Sequence, residues 1–307
     1  MKKNYSAQDL GKSFALAVAI MLFAQLALSV VFAPFMQDGA LPDWAYWAMQ
    51  ATYTCLVGLS AVLYANISKT NFLSATTANK PPKWAHVLWG CVADVFLIAA
   101  MLPLNNWICD LIEKLGLTRP SVEMPLQLAP MLLVACVLPA VTEEFVFRGT
   151  VGQSLRNVNK LASLAISGAL FALFHLNAAQ TVHQFVLGAF LTLLMFRSGS
   201  VWTSVIVHFF NNAFAVALTF VFLDESMLTP YFLPMFFVGL AGFVLCVFGY
   251  VKCTKSSWTR ENDSLAKEQS FDTSSKNEQS RQLNVWSLVF AVGVCLVLWV
   301  ANLVLKQ

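Results

Sequence analysis

Apolar residues fall along this chain in nine long runs, near residues 13–35, 44–67, 85–106, 127–155, 160–176, 180–197, 200–223, 230–251 and 284–305. Shorter stretches that gather most of the charges separate them. Runs of about 17 to 25 residues match the length an α-helix needs to cross a bilayer. None shows the period-2 alternation of a barrel strand, and lipid-exposed backbone must otherwise satisfy its hydrogen bonds inside a helix. The pattern therefore predicts an all-α fold, a polytopic membrane helical bundle with about nine transmembrane helices. The first run follows Met1-Lys2-Lys3 and is longer than the roughly 7 to 15 apolar residues of a signal peptide, so a retained helix is expected.

The polar stretches divide the chain further. N-terminal membrane helices occupy 1–84, a helical core 85–251, a polar linker 252–283 and a last membrane helix 284–307. The linker is rich in Ser, Lys, Glu, Asn and Gln and has little to bury, which predicts a mobile segment. Residues 106–126, with Asp110, Glu113 and Lys114 ahead of Pro120, are expected to form an external amphipathic turn of helix and a loop at the membrane surface.

Composition excludes an ordinary soluble domain. Hydrophobic residues make up 58% of the 307 and charged residues 11%, against about 25% charged in soluble proteins; mean hydropathy is +0.66. The net charge of +3 is too small to point to nucleic acid. With a cytoplasmic N-terminus and nine crossings, fifteen of the nineteen Lys and Arg residues fall inside and only Lys114, Arg119 and Lys306 outside, the expected positive-inside bias. A multi-pass cell-membrane protein with a cytoplasmic N-terminus is predicted. The seven cysteines show no CxxC pair or zinc-ribbon spacing and are expected to act as small hydrophobes.

Ionisable side chains at bilayer depth are costly unless paired or hydrated, so the few present are candidates for function. They sit on three runs: Glu143-Glu144-Phe145-Val146-Phe147-Arg148, Phe171-Ala172-Leu173-Phe174-His175 and His208-Phe209-Phe210-Asn211-Asn212. Glu144 and Arg148 stand at i and i+4, acid first, the favourable arrangement for a pair on one helix face. Glu143 is rotated by about 100° from Glu144 and is left free to act as a general base. Counting from a turn near residue 158, antiparallel packing puts Glu143 and His175 at nearly the same depth, roughly 23 to 25 Å from the turn. Glu143 with His175 is then expected to hold and deprotonate a water, while His208 and Asn212 face a developing oxyanion.

Other polar residues are given structural roles. Asp94 stands apart, with a structural or cavity-lining role expected. His183 is placed away from the Glu143 level, and Asn211 is discounted because Asn212 shares the His208 face. Ser204 has no GxSxG context and no evident base, which argues against a serine mechanism.

With these residues in view, the chain resembles the CPBP family of intramembrane proteases (CAAX processing and bacteriocin processing, also called Abi) over roughly residues 85–250. EExxxR is present as Glu143, Glu144 and Arg148, FxxxH as Phe171 and His175, and HxxxN as His208 and Asn212, with Gly188 in a GAF segment between them. The resemblance implies a helical bundle with a cavity opening to the cytoplasm. It implies water activated by Glu143 and His175, with oxyanion stabilisation by His208 and Asn212. The expected function is hydrolysis of a peptide bond in a membrane-associated peptide or protein. The alternative is a non-catalytic bacteriocin-immunity or scaffold protein on the same fold; a transporter ranks third, since no internal repeat is evident. No cofactor is expected; zinc on Glu143, His175 and His208 is the alternative, although HExxH is absent.

Overall fold

The computed structural model describes residues 5–119, 124–221, 227–258 and 276–305, with side chains left undescribed for 276–284 and 305. Nine long helices follow one another: α1 (Asp9–Phe32), α2 (Asp43–Ile67), α3 (Trp84–Lys114), α4 (Leu128–Gly152), α5 (Lys160–Phe174), α6 (Thr181–Ser198), α7 (Val201–Val221), α8 (Phe232–Cys253) and α9 (Lys276–Leu305). Among the described residues there is no strand; Gln37 and Ala40 form an isolated bridge. Among the described residues eight helices are long and apolar enough to cross a membrane, whereas α5, with 15 residues, is a shorter apolar helix. The protein is thus a polytopic membrane helical bundle.

Local chemistry accounts for the helix ends that matter most. Asn159 caps α5 by accepting from the backbone N–H groups of Leu161 at 3.0 Å and Ala162 at 3.3 Å. Gly199 ends α6 with φ +76°, a left-handed turn that glycine adopts without strain and that returns the chain into α7. α5 and α6 cross closely at Gly168, where an added Cβ would fall 2.5 Å from the Phe185 carbonyl oxygen. Such small-residue crossings let membrane helices pack through their backbones. α3 packs mainly on α8, α1 on α2, and α9 on α1 and α5. The Trp299 indole of α9 donates to Thr181 Oγ1 at 2.9 Å and its Asn302 to the Leu176 carbonyl at 3.2 Å.

Two expectations about helix limits change. α3 does not stop near 106 but continues to Lys114 as one 31-residue helix. Arg119 folds back on it, donating to Asp110 at 2.8 Å and to Asn106 at 2.8 Å, so the charged stretch is helical. The polar linker begins later than residue 252. α8 runs to Cys253, and the Trp258 ring lies tilted against Phe196, centroids 4.4 Å apart, while its indole donates to the Arg156 carbonyl. The rest of the expected mobile linker, 259–275, lies outside the described residues. None of the seven cysteines is in a disulfide; Cys109, Cys136 and Cys295 are buried, while Cys55 and Cys253 are exposed rather than packed inside.

Chain direction sorts the two ends of the bundle. Lys80, Lys83, Arg156, Lys160, Arg197 and Lys252 gather where α3, α5 and α7 begin and α4, α6 and α8 end. Lys114 and Arg119 lie at the other end, beyond α3.

Candidate active site

α4 positions the two glutamates, and it is not a uniform α-helix. Met131–Val137 and Phe145–Gly152 are π-helical, flanking an α-helical Leu138–Glu144. π turns shift the side-chain register and recur at functional sites. Pro139 contributes to the irregularity, because it has no N–H to return to the Ala135 carbonyl four residues back. That carbonyl accepts from the Asn212 side-chain amide at 3.1 Å instead, which ties α7 to α4.

The i, i+4 pair forms as the spacing predicts. Arg148 Nη1 donates to Glu144 Oε1 at 2.7 Å, with both side chains fully buried. Arg148 Nη2 reaches the Gly188 carbonyl on α6 at 3.1 Å, and its guanidinium lies 4.3 Å from the centre of the Phe171 ring on α5. One arginine therefore joins three helices. Phe171 also meets His175 edge-on at 4.5 Å and His208 at 5.9 Å, so it fills the centre of the cluster.

Glu144 has a second partner that spacing on one helix does not reveal. Its Oε1 lies 2.9 Å from His208 Nδ1 on α7. A carboxylate acceptor there assigns the proton to Nδ1 and turns Nε2 the other way. Nε2 faces Glu143, 4.0 Å from Oε2, and His175 Nε2 faces the same oxygen at 3.7 Å. His175 is oriented by its Nδ1, 2.8 Å from the Phe171 carbonyl. Glu143 Oε2 is buried and has no hydrogen-bond partner among the described residues.

A cavity of about 560 Å³ adjoins this cluster, lined by Glu143, His175, His208 and Asn212 at its inner end. It continues past Asn105, Gln184 and Thr219 to Leu228 and Phe232. A smaller cavity of about 160 Å³, lined by Tyr53, Thr54, Val57 and Phe174, touches the opposite side of Glu143 and His175. The larger one thus runs toward the end where α3 and α7 finish and α6 and α8 start, away from the basic end. The cytoplasmic opening implied by resemblance does not fit this position once the basic end is taken as cytoplasmic.

Glu143, Glu144, Arg148, His175 and His208 come together, and Asn212 joins them at the cavity wall. His183 and Asn211, expected to stand apart, line the same cavity. The cavity climbs along α6 and α7, so a residue at another depth still reaches it. The available signal was spacing: Gln180, His183 and Gln184 stand at i, i+3 and i+4, as do His208, Asn211 and Asn212. Asp94 is fully buried, and neither carboxyl oxygen has a hydrogen-bond partner among the described residues. It is not among the lining residues of either cavity.

The suggested zinc ligands, Glu143, His175 and His208, stand around one carboxylate oxygen. Among the described residues no group of three His, Cys, Asp or Glu side chains is arranged to hold a metal ion. Ligands of a tetrahedral zinc lie about 3.4 Å apart, while Glu143 Oε2 stands 3.7 and 4.0 Å from the two imidazoles.

Comparison with curated proteins and with solved structures finds no match. Residues 125–214, the segment from the start of α4 through most of α7 that carries all three motifs, match the Rce1-like family, described as type II CAAX prenyl endopeptidase Rce1-like, in agreement with the CPBP resemblance.

Proposed function

We propose that the protein is an intramembrane endopeptidase that hydrolyses a peptide bond in a membrane-associated peptide by activated water. The observation that carries this reading is the convergence of His175 and His208 Nε2 on Glu143 Oε2, which has no hydrogen-bond partner among the described residues, at the inner end of the larger cavity. Gaps of 3.7 and 4.0 Å are too long for direct hydrogen bonds. They suit a water held between the groups.

In this reading Glu143 takes a proton from the water as its oxygen attacks the carbonyl carbon. The carbonyl oxygen becomes the oxyanion, and collapse of the tetrahedral intermediate breaks the C–N bond, with the proton passing to the leaving amine. The Glu144 contact refines the role expected for His208. With Nδ1–H given to Glu144, Nε2 is held toward Glu143 and the water, and the Glu144 carboxylate fixes the imidazole in that orientation. Asn212 has one side-chain N–H left for the oxyanion after serving Ala135.

We take the basic end as cytoplasmic on the strength of the positive-inside bias, and on that reading the larger cavity opens toward the opposite membrane face. The experiment that tests the function is incubation of purified protein with a farnesylated CAAX-type peptide, a substrate kind suggested by the family match. A panel of unmodified membrane peptides and the Glu143→Gln variant accompany it. Cleavage by the wild type and none by the variant supports the reading. Absence of cleavage across the panel, with the protein folded, favours the scaffold alternative.

A further inference from the structure

α9 lies outside the matched segment 125–214, yet it reaches the loop that follows His175. Leu288, Ala291, Cys295, Trp299 and Asn302 recur at three- and four-residue spacing, so one face of α9 carries them. Ala291 and Cys295 are buried in the main core, where α9 packs on α1 and α5. Trp299 and Asn302 lie further along the same face, and both donate to the loop between α5 and α6. The Trp299 indole reaches Thr181 Oγ1 at 2.9 Å, and the Asn302 amide reaches the Leu176 carbonyl at 3.2 Å.

This loop needs holding. His175 ends α5, and Leu176, the next residue, has φ +51°. Helix ends usually give that left-handed conformation to glycine, because any Cβ crowds the following carbonyl. A leucine stays there only where its surroundings hold it. Inside the loop, Asn177 Oδ1 accepts from the Ala179 N–H at 3.0 Å, and Thr181 Oγ1 donates to the Asn177 carbonyl at 2.8 Å. Thr181 gives its one hydroxyl proton to Asn177, so its oxygen is the acceptor for Trp299. α9 therefore fastens both ends of the loop. Through the backbone, the Leu176 turn carries the His175 ring, whose Nε2 stands 3.7 Å from Glu143 Oε2. A small rotation of the turn would open that gap.

We infer that Trp299 and Asn302 are positioning residues for the reaction: from α9 they hold Leu176 in its left-handed turn, so that His175 Nε2 stays aimed at Glu143. The segment 125–214 supplies the reacting groups, and α9 supplies a hold on one of them from outside that segment. The inference rests on the endopeptidase reading for its kinetic consequence. The hold on the His175 ring is independent of that reading.

The test combines Trp299→Phe with Asn302→Leu, which removes both donors and keeps apolar bulk. With the farnesylated CAAX-type peptide, kcat should fall about 10- to 100-fold, the scale of loss when a reacting group is misplaced by about 1 Å, while KM stays within about twofold. Glycine takes a positive φ freely, so adding Leu176→Gly should restore most of the kcat. In a His175→Ala background the α9 changes should cause no further loss, since changes that act through one imidazole are not additive. General loosening of the bundle gives neither the rescue nor that non-additivity. A second readout needs no turnover: histidine-selective nitrogen-15 spectra in detergent, with the His175 ring signals assigned by the alanine variant. Those signals should move in the α9 variant and return on adding Leu176→Gly, while those of His86, near the start of α3, stay in place. An unchanged kcat, an equal further loss in the His175→Ala background, or unmoved His175 signals overturns the inference. If the wild type cleaves no peptide but the His175 signals move and return in this way, the positioning stands and the peptidase reading falls instead.

Discussion

His208 Nδ1 and Glu144 Oε1, 64 residues apart in sequence, stand 2.9 Å from each other, and the same oxygen accepts from Arg148 at 2.7 Å. Glu144 thus does two jobs. It neutralises the guanidinium, and it fixes the imidazole so that Nε2 faces Glu143.

This arrangement separates the two neighbouring acids by experiment. Glu143→Gln should abolish turnover and leave thermal stability close to that of the wild type, because Glu143 Oε2 has no partner to lose. Glu144→Gln and Arg148→Ala should each cost about 3 to 5 kcal/mol, since each strands a buried charge. Thermal unfolding in detergent beside a cleavage assay measures both. Equal stability of the three variants would contradict the division.

Asn212 anchors α7 to the Ala135 carbonyl, and in the proposed mechanism it also serves the oxyanion. Asn212→Ala should lower turnover about 100- to 1000-fold through loss of an oxyanion donor. It should also cost about 1 kcal/mol of stability, because the Ala135 carbonyl loses its side-chain donor. Adding Pro139→Ala restores a backbone N–H within reach of that carbonyl, so stability should recover in the double variant while turnover stays low. Recovery of both would reduce Asn212 to an anchor.

The α5–α6 crossing sets the position of His175. Gly168→Ala puts a Cβ 2.5 Å from the Phe185 carbonyl oxygen, a contact that a rigid backbone cannot absorb without parting the helices. A loss of about 1 to 3 kcal/mol is expected, with a fall in kcat as His175 moves from Glu143. Unchanged kcat in a destabilised variant would show that the site tolerates the shift.

Removal of metal tests the water-activation scheme. If Glu143 and His175 activate water without a cation, activity should survive a strong chelator, and purified active protein should carry no stoichiometric zinc. Loss of activity that added zinc restores would reassign Glu143, His175 and His208 as ligands.

Orientation decides which face supplies the substrate. In a cysteine-free background, an impermeant thiol reagent applied to intact cells should label a cysteine placed at Asp38, in the loop between α1 and α2, and miss one at Lys80. The reverse pattern would turn the cavity mouth to the cytoplasm, as the family resemblance implied.

Much of the architecture follows from the sequence because lipid leaves the backbone few alternatives. Nine apolar runs become nine helices, and the 3.6-residue repeat by itself pairs Glu144 with Arg148. Hairpin counting also places Glu143 level with His175, since antiparallel neighbours joined by a short turn share a depth. What periodicity cannot show is rotation and tilt between helices. These depend on the π-helical turns of α4, on the close approach at Gly168 and on the anchoring of Asn212 to the carbonyl that Pro139 leaves without its usual donor. Only those tertiary contacts aim His208 at both glutamates and bring His183 and Asn211 into one cavity with them, because a cavity wall is set by how separate helices lean together rather than by the order of residues along any one of them.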